Sequence, residues 1–150
     1  MCRGAKTKRA LDELYVFIEK GTADGHEERF KDAADEYVNV RAGEVIFKII
    51  QLNHPRFERS GDNLKYKQEL TLRQAMLGFE IEIKHLDGHK VTIKRKEGEI
   101  VQPGEVQVIK NEGMPKYGMP SDHGDLIVTF SIRNPDKFEA GQKKMLEQFF

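Results

Sequence analysis

This chain of 150 residues has one cysteine, no tryptophan, no net charge and no long apolar run. Three of these features exclude a class of protein. Its single cysteine, Cys2, cannot form a disulfide within the chain, so no disulfide framework supports the fold. The formal net charge of +0 provides no basic field for nucleic acid or an acidic lipid surface. No apolar run approaches the roughly 20 residues of a membrane span, and the charged N-terminus is not typical of a signal peptide. We therefore expect neither nucleic acid nor a membrane as partner.

The chain does contain a pattern that resembles a metal site, His85-x-Asp87-x-His89. On a strand, residues at i, i+2 and i+4 point the same way, so three ligands could converge there. Asp87-Gly88 is, however, the natural centre of a tight turn, and we expect that turn to splay the two histidines onto opposite arms. The sequence therefore predicts a hairpin here and no metal site.

Other reactive side chains are isolated. Cys2 alone cannot hold zinc, which requires four ligands, and it is best interpreted as an exposed thiol. Asp122 and His123 offer a carboxylate and an imidazole in a loop, but the glycine-aspartate strand entry that follows is a sufficient structural explanation. We predict no catalytic residues. The alternative enzyme hypothesis is a metal-dependent hydrolase that uses His85, Asp87, His89 and His123.

Two-residue alternation of apolar and polar side chains predicts a mostly β chain. Thr71 and Gln74 fit the capping box of a short helix that ends at Gly78 in the left-handed conformation. From Glu139 the apolar spacing becomes helical, and a glycine- and proline-bearing loop is expected over Gly113–Gly124. The predicted strands are Leu11–Glu19, Glu44–Gln51, Leu64–Leu70, Phe79–Lys84, Val91–Lys94, Glu105–Ile109 and Asp125–Ile132, with Asp87-Gly88 closing the hairpin between the fourth and fifth.

The first two predicted strands are apolar on both faces, which requires a second cover from a sheet, a partner chain or a ligand. Leu14, Val16, Phe47 and Ile49 lie on these strands. One interpretation makes all four part of the core. The other makes them a shallow groove in which an apolar segment of another protein adds along a sheet edge.

Several short motifs, taken together, resemble one family. They are Ile18-Glu19-Lys20-Gly21 with Asp24-Gly25, Gly43-Glu44, His54-Pro55-x-Phe57-x-Arg59-x-Gly61-Asp62-Asn63-Leu64, Ala75-Met76-Leu77-Gly78, Leu86-Asp87-Gly88, Glu112-Gly113-Met114-Pro115 and Gly124-Asp125-Leu126. From Cys2 to about Phe138, the chain resembles the C-terminal substrate-binding region of zinc-finger-bearing DnaJ-type (J-domain) co-chaperones. It departs from the family at Asp32-Ala33-Ala34-Asp35, where a more glycine-bearing turn is usual, and at Ala42, where proline is usual.

The resemblance implies two tandem β-sandwich-like modules, the first incomplete, with a short helix in the second and a helix at the C-terminal end. Residues 1–51 would complete the client-binding module I, residues 52–135 would form module II, and residues 136–150 would begin a dimerisation helix. Leu14 and Phe47 match two lining residues of the family's client pocket. Met145, Leu146, Phe149 and Phe150 would begin a homodimer contact.

The same resemblance implies a function without catalysis. Such a fragment would bind hydrophobic segments of unfolded client proteins, and the full-length protein would deliver them to the 70-kDa heat-shock chaperone. No cofactor is expected in this fragment, whereas the full-length protein would carry zinc, and the resemblance makes Cys2 a remnant of its zinc motif. The alternative is a structural or dimerisation scaffold without client binding of its own. The compartment stays open between the endoplasmic reticulum lumen and the cytoplasm.

Overall fold

The computed structural model describes residues 11–37 and 39–149, without the side chains of Ala140 and Phe149, and over these residues the chain is mostly β. The predicted fold class, a mostly β sandwich-like chain with two helices, is confirmed. The elements are β1 (Glu27–Phe30), β2 (Val45–Lys48), β3 (Phe57–Ser60), β4 (Asn63–Thr71), α1 (Leu72–Leu77), β5 (Phe79–Lys84), β6 (Lys90–Arg95), β7 (Val106–Ile109), β8 (Pro115–Lys116), β9 (Met119–His123), β10 (Leu126–Arg133) and α2 (Ala140–Phe149).

The chain divides into two compact units. Unit 1 contains the residues up to His54 together with Pro115–Asp122, and unit 2 contains Pro55–Met114 and the residues from His123 onward. The segment Pro115–Asp122 therefore leaves its sequence neighbours and joins the earlier part of the chain. The division into residues 1–51, 52–135 and 136–150 stays a prediction.

Unit 1 contains two short antiparallel ribbons. Strands β1 and β2 pair with Glu28 opposite Phe47, and β8 pairs with β9. Gly21 lies so close to the β8 backbone that a Cβ atom there would stand 2.4 Å from the carbonyl oxygen of Pro115. The ring of Tyr117, between β8 and β9, lies 5.6 Å from that of His26. These contacts explain why Pro115–Asp122 belongs to unit 1.

The predicted strand Leu11–Glu19 is wrong, because this segment has no regular secondary structure. Alternation of side chains specifies which face each residue would occupy, but a strand also needs a neighbour for its backbone hydrogen bonds. Among the described residues, residues 11–18 find no such neighbour. The second predicted strand, Glu44–Gln51, is present but shorter.

The main sheet of unit 2 has the order β3-β4-β10-β7. Strands β4 and β10 are parallel, with Leu126 opposite Leu64, and the other two pairings are antiparallel. Buried side chains alternate along β10, and the hairpin β5-β6 and helix α1 add apolar side chains to the same core. The core comprises Phe57, Leu64, Leu70, Ala75, Phe79, Ile83, Val91, Ile93, Val101, Leu126, Val128 and Phe130.

Helix α1 begins at the predicted capping box. The Gln74 amide nitrogen donates to the Thr71 hydroxyl at 3.3 Å, and the Thr71 amide donates to the Gln74 side chain at 2.9 Å. The helix ends at Gly78 as expected, but with φ 87° and ψ 166° rather than the left-handed helical conformation. The chain needs this extended ψ because it enters β5 directly, and a Cβ atom at Gly78 would stand 2.8 Å from the carbonyl oxygen of Arg95.

The predicted hairpin forms, but the expectation that its turn separates the two histidines is wrong. The His85 amide donates to the His89 carbonyl at 2.8 Å, and the Gly88 amide donates back to the His85 carbonyl at 3.1 Å. His85 and His89 are thus directly opposite each other, one step beyond the Lys84–Lys90 pair. Opposed residues of an antiparallel pair have their side chains on the same face. The imidazole rings accordingly stack with centroids 4.7 Å apart.

Three backbone segments meet at a point that we call the glycine junction, formed by Asp62, Gly113 and Gly124. A Cβ atom on Gly124 would lie 2.1 Å from the Asp62 carbonyl oxygen, and one on Gly113 would lie 2.4 Å from the Gly124 carbonyl carbon. The Gly113 amide donates to the Gly124 carbonyl at 2.8 Å, and the Met114 amide donates to the Asp62 carbonyl at 2.7 Å. No side chain fits at either glycine without displacing backbone.

We predict that Gly124→Ala destabilises the protein by about 2 kcal/mol or more, because the added methyl group must push apart hydrogen-bonded backbone in a packed region. Urea denaturation followed by circular dichroism measures the change in the free energy of unfolding.

Gly141→Ala is the matched control, since a Cβ atom at Gly141 meets nothing within 4 Å. That substitution in α2 should leave stability unchanged or raise it by up to about 1 kcal/mol. Equal stability of Gly124→Ala and the parent protein would contradict the steric role of the junction.

Candidate functional site

The apolar surface of unit 1 is built around β2. Val45 and Phe47 lie opposite Phe30 and Glu28, so these four side chains share one face of the β1-β2 ribbon. The ring of Phe47 meets that of Phe30 edge to face at 5.6 Å. Phe47 nevertheless keeps 37% of its surface exposed. It is therefore held in place and accessible at the same time.

Ile49 follows β2 and is half-buried. Its amide donates to the His26 carbonyl at 2.8 Å, and its own carbonyl accepts from the Gly25 amide at 2.8 Å. These two bonds continue the ribbon beyond its last paired residue. Phe47 and Ile49 consequently lie on one rigid segment of backbone.

Leu14 and Val16 lie in the irregular segment of residues 11–18. Leu14 is 36% exposed and Val16 is half-buried, whereas Tyr15 and Phe17 are 68% and 83% exposed. Leu14 and Val16 are thus more buried than Tyr15 and Phe17, but Ile18 is 65% exposed, so the predicted alternation does not extend along the whole segment. The four predicted client-binding residues are distributed over this segment and the β2 segment, and neither Leu14 nor Phe47 is enclosed.

Other exposed apolar side chains of unit 1 were not predicted as site residues. Besides Tyr15 and Phe17, they are Leu11, Ile18, Tyr37, Val40, Ile46, Ile50, Leu52, Tyr117 and Met119. Phe30 was missed as the packing partner of Phe47. Its only signal in the sequence is a single aromatic residue at the end of an otherwise charged strand, Glu27–Phe30.

An ion pair between Arg41 and Asp32 stabilises the loop between β1 and β2. The Arg41 guanidinium donates to both carboxylate oxygens of Asp32, at 2.8 and 3.0 Å. This pairing lowers the pKa of Asp32 below its usual value. Asp32 has φ 56°, which fits the glycine-bearing turn expected at this position, since aspartate tolerates that conformation better than most residues.

A second apolar concavity, which we call the helix groove, lies in unit 2 and has a volume of about 700 Å³. Helix α1 contributes Leu72, Met76 and Leu77, and the chain after β10 contributes Pro135 and Phe138. Leu146 of α2 also lines it, and Arg73 and Arg133 supply cations at its wall.

The predicted dimerisation residues differ in their exposure to solvent. Met145 is 67% exposed, whereas Leu146 is half-buried in the wall of the helix groove. The side chain of Phe149 and all of Phe150 lie outside the described residues, as does Cys2. Among the described helices, none combines the length and apolar character needed to cross a bilayer.

A family model described as DnaJ C terminal domain matches residues 4–135. The chain belongs to the DnaJ C-terminal domain family. It is 37% identical over 147 residues to DnaJ protein homolog 1 of Allium porrum, covering 98% of this chain and 37% of that protein. It is 36% identical to Chaperone protein dnaJ 3 of Arabidopsis thaliana and 35% identical to DnaJ homolog subfamily A member 4 of Mus musculus. These two matches cover 97% and 96% of this chain but only 35% and 36% of the relatives.

Three of the motifs that pointed to the DnaJ C-terminal family meet at the glycine junction. Asp62, Gly113 and Gly124 each come from a different motif, and Asn63 accepts the Asp125 amide at 2.8 Å beside them. In unit 2, three of the family motifs therefore contain the residues at which three backbone segments approach each other closely. The residues expected to bind clients lie in unit 1 and are absent from these motifs.

We predict that Thr71→Ala lowers the free energy of unfolding by about 1 kcal/mol, because the first turn of α1 loses the hydroxyl that accepts the Gln74 amide. Thr71→Ser keeps an acceptor at the same place and should retain most of the stability. Urea denaturation of both variants checks this, and identical stability of Thr71→Ala and Thr71→Ser would contradict the capping role.

Proposed function

We propose that this chain is the client-binding part of a DnaJ-type co-chaperone, and that it holds hydrophobic segments of unfolded proteins without catalysing a reaction. In the whole protein these segments pass to the 70-kDa heat-shock chaperone. The observation that carries the proposal is the accessibility of Leu14 and Phe47 in unit 1, each with more than a third of its surface exposed. The family membership supports it, because relatives of this chain are named as chaperones.

The backbone beside Phe47 is suited to an extended peptide. Strands β1 and β2 pair only with each other among the described residues, so the outer edge of each retains groups that can form a ladder. A peptide that adds to such an edge gains backbone hydrogen bonds, and its alternate side chains can contact apolar anchors. Phe47 on β2 and Ile49 just after it are at the spacing that alternate side chains require.

The expected affinity is modest. Each leucine-sized anchor contributes roughly 1.5–3 kcal/mol when buried. Two or three anchors, less the cost of ordering the peptide, give a Kd in the micromolar range or weaker. An affinity of this size suits capture and release, because the client must leave for the next chaperone.

We predict that the double substitution Leu14→Ser with Phe47→Ser abolishes the suppression of client aggregation by the full-length protein. The two hydroxymethyl groups remove the apolar anchors, whereas the circular dichroism spectrum should stay unchanged because both residues are exposed. Light scattering of a heat-denatured client measures the effect.

The matched control replaces two exposed apolar residues of unit 2, Leu86→Ser with Ile100→Ser, and should keep full activity. Unchanged client binding in the Leu14 and Phe47 double variant would count decisively against this site. Peptide binding to the 150-residue chain itself distinguishes the proposal from the scaffold alternative, in which this region binds no client.

We also propose that α2 contributes to a homodimer contact of the full-length protein. Met145 is exposed on this helix, and an apolar side chain of this size is suited to an interface between two copies.

We predict that Met145→Asp weakens the homodimer by at least about tenfold, because a charge would be buried at the contact. Sedimentation equilibrium of the full-length protein measures this, with Gln148→Asp as an exposed control on the same helix. A dimer constant that Met145→Asp leaves unaltered would overturn the assignment of Met145.

A further inference from the structure

A cluster of potential metal ligands lies at the turn between β5 and β6. His85, Asp87 and His89 each place one ligand atom within 4.8 Å of the others. The convergence follows from the hairpin register, because His85 and His89 oppose each other and Asp87 is in the three-residue loop between them. The cluster is in unit 2 and is separate from the apolar surface of unit 1.

The hydrogen bonding of His85 leaves one ring nitrogen without a partner. Its Nε2 atom lies 3.0 Å from the Glu112 carbonyl oxygen, which can only accept, so Nε2 carries the proton of a neutral ring. Nδ1 then presents a bare lone pair. It has no hydrogen-bond partner, and its nearest charged neighbour is the Asp87 Oδ1 atom at 3.5 Å. In the neutral form of the ring, His85 Nδ1 and the Asp87 carboxylate are therefore two acceptors that face each other.

His85 is too buried for water to resolve this conflict easily. Its side chain is 9% exposed, and its ring packs against that of Phe57 with centroids 5.7 Å apart. A buried polar atom without a partner destabilises the folded protein, because its lost hydration is not replaced. A cation placed between Nδ1 and the Asp87 carboxylate would satisfy both acceptors at once.

His89 completes the arrangement from the opposite strand. Its Nε2 atom lies 2.8 Å from the Glu112 carboxylate, and its Nδ1 atom lies 2.5 Å from Asp87 Oδ1. Glu112 therefore fixes both rings through their Nε2 atoms, one by its carbonyl and one by its carboxylate, so that both Nδ1 atoms point toward Asp87. Carboxylates and carbonyls orient metal-binding histidines in this way.

We propose that His85 Nδ1, His89 Nδ1 and Asp87 Oδ1 bind one divalent transition-metal ion, with zinc the best fit, and that Glu112 orients the two imidazoles. Two imidazole nitrogens with one carboxylate oxygen suit zinc, whereas magnesium and calcium prefer oxygen ligands alone. Metal–ligand bonds of about 2.0–2.1 Å in a tetrahedron place neighbouring ligands roughly 3.3 Å apart. The 3.5 Å between His85 and Asp87 matches this spacing. His89 and Asp87 are exposed enough to move apart without disturbing the core.

The competing occupant is a proton. The hydrogen bond to Asp87, followed by that to Glu112, raises the pKa of His89 above its usual value. The backbone amide of His89, followed by its ring, lowers the pKa of Asp87. A proton on His89 would hold that ring between the two carboxylates but would leave His85 Nδ1 unsatisfied. A cation shared by all three groups would satisfy His85 Nδ1 as well.

Zinc titration by isothermal calorimetry tests the proposal, using the 150-residue chain with Cys2→Ser so that the thiol contributes nothing. We expect one zinc per chain. His89→Gln and Asp87→Asn should each weaken zinc binding by at least about tenfold, and Glu112→Gln by about 10–100-fold. The first two substitutions are at exposed turn positions, so an unchanged circular dichroism spectrum will separate lost binding from lost folding.

His26→Ala is the matched control, because His26 also has a carboxylate beside it, Glu28 at 3.4 Å. Its zinc affinity should equal that of the parent. No saturable zinc binding by the parent, or equal binding by the parent, His89→Gln and Asp87→Asn, would overturn the site. Unchanged affinity in Glu112→Gln would overturn the orienting role of Glu112.

Discussion

The close approach of three backbone segments at the glycine junction is the constraint on which most of unit 2 depends. The Leu64 amide donates to the Asp125 carbonyl at 3.0 Å beside it, so the junction is where β4 and β10 begin their parallel pairing. The same crossing positions Glu112, the residue before Gly113, against the turn of the β5-β6 hairpin. The register of the sheet and the geometry of the histidine cluster thus share one cause, which is the absence of side chains at Gly113 and Gly124.

The two units differ in how completely they bury their apolar side chains. In unit 2 the inward-facing side chains of β4 and β10 form part of a closed core, in which Leu70, Leu126 and Val128 have no exposed surface. In unit 1 the ribbon β1-β2 is too short to cover its own apolar residues, and Phe47 stays more than a third exposed although its ring packs against that of Phe30. Exposed apolar surface on this scale usually marks an interaction site. The contrast explains how a closed core and an exposed apolar surface can exist in one short chain.

Local signals in the sequence predicted local structure well. The capping box at Thr71 and Gln74, the hairpin across Asp87-Gly88, and the strands from Asn63 and Leu126 form because nearby residues determine them. The predicted strand Leu11–Glu19 does not form, because the alternation of apolar and polar side chains does not indicate whether a second strand is present to pair with it. The parallel pairing of β4 with β10 joins residues about 60 positions apart, and nothing within either segment identifies the other.

The sites show the same distinction. Phe47 was a plausible binding residue from its strand alone, whereas its contact with Phe30 depends on the ribbon register. The sequence does not reveal the convergence of His85 and His89, because the tight turn at Asp87-Gly88 suggests that its flanking residues diverge. In the register of the two paired strands, His85 and His89 are instead directly opposite each other, with their side chains on the same face. The role of Glu112 was not visible in sequence, since it lies 23 residues from His89 and reaches the turn only through the glycine junction.

The assignment of Pro115–Asp122 to unit 1 gives the chain an interleaved topology. The polypeptide passes from one unit to the other at His54–Pro55, again at Met114–Pro115 and a third time at Asp122–His123. A cut at His54–Pro55 therefore cannot release unit 1 intact, because removing everything after His54 also deletes the ribbon that packs on Gly21 and His26. Strand β9 ends at His123, and β10 begins only three residues later. Detaching β8 and β9 from unit 1 would therefore also perturb the start of β10 in unit 2. The apolar surface of unit 1 and the core of unit 2 are consequently interleaved along the sequence, even though they belong to distinct compact units.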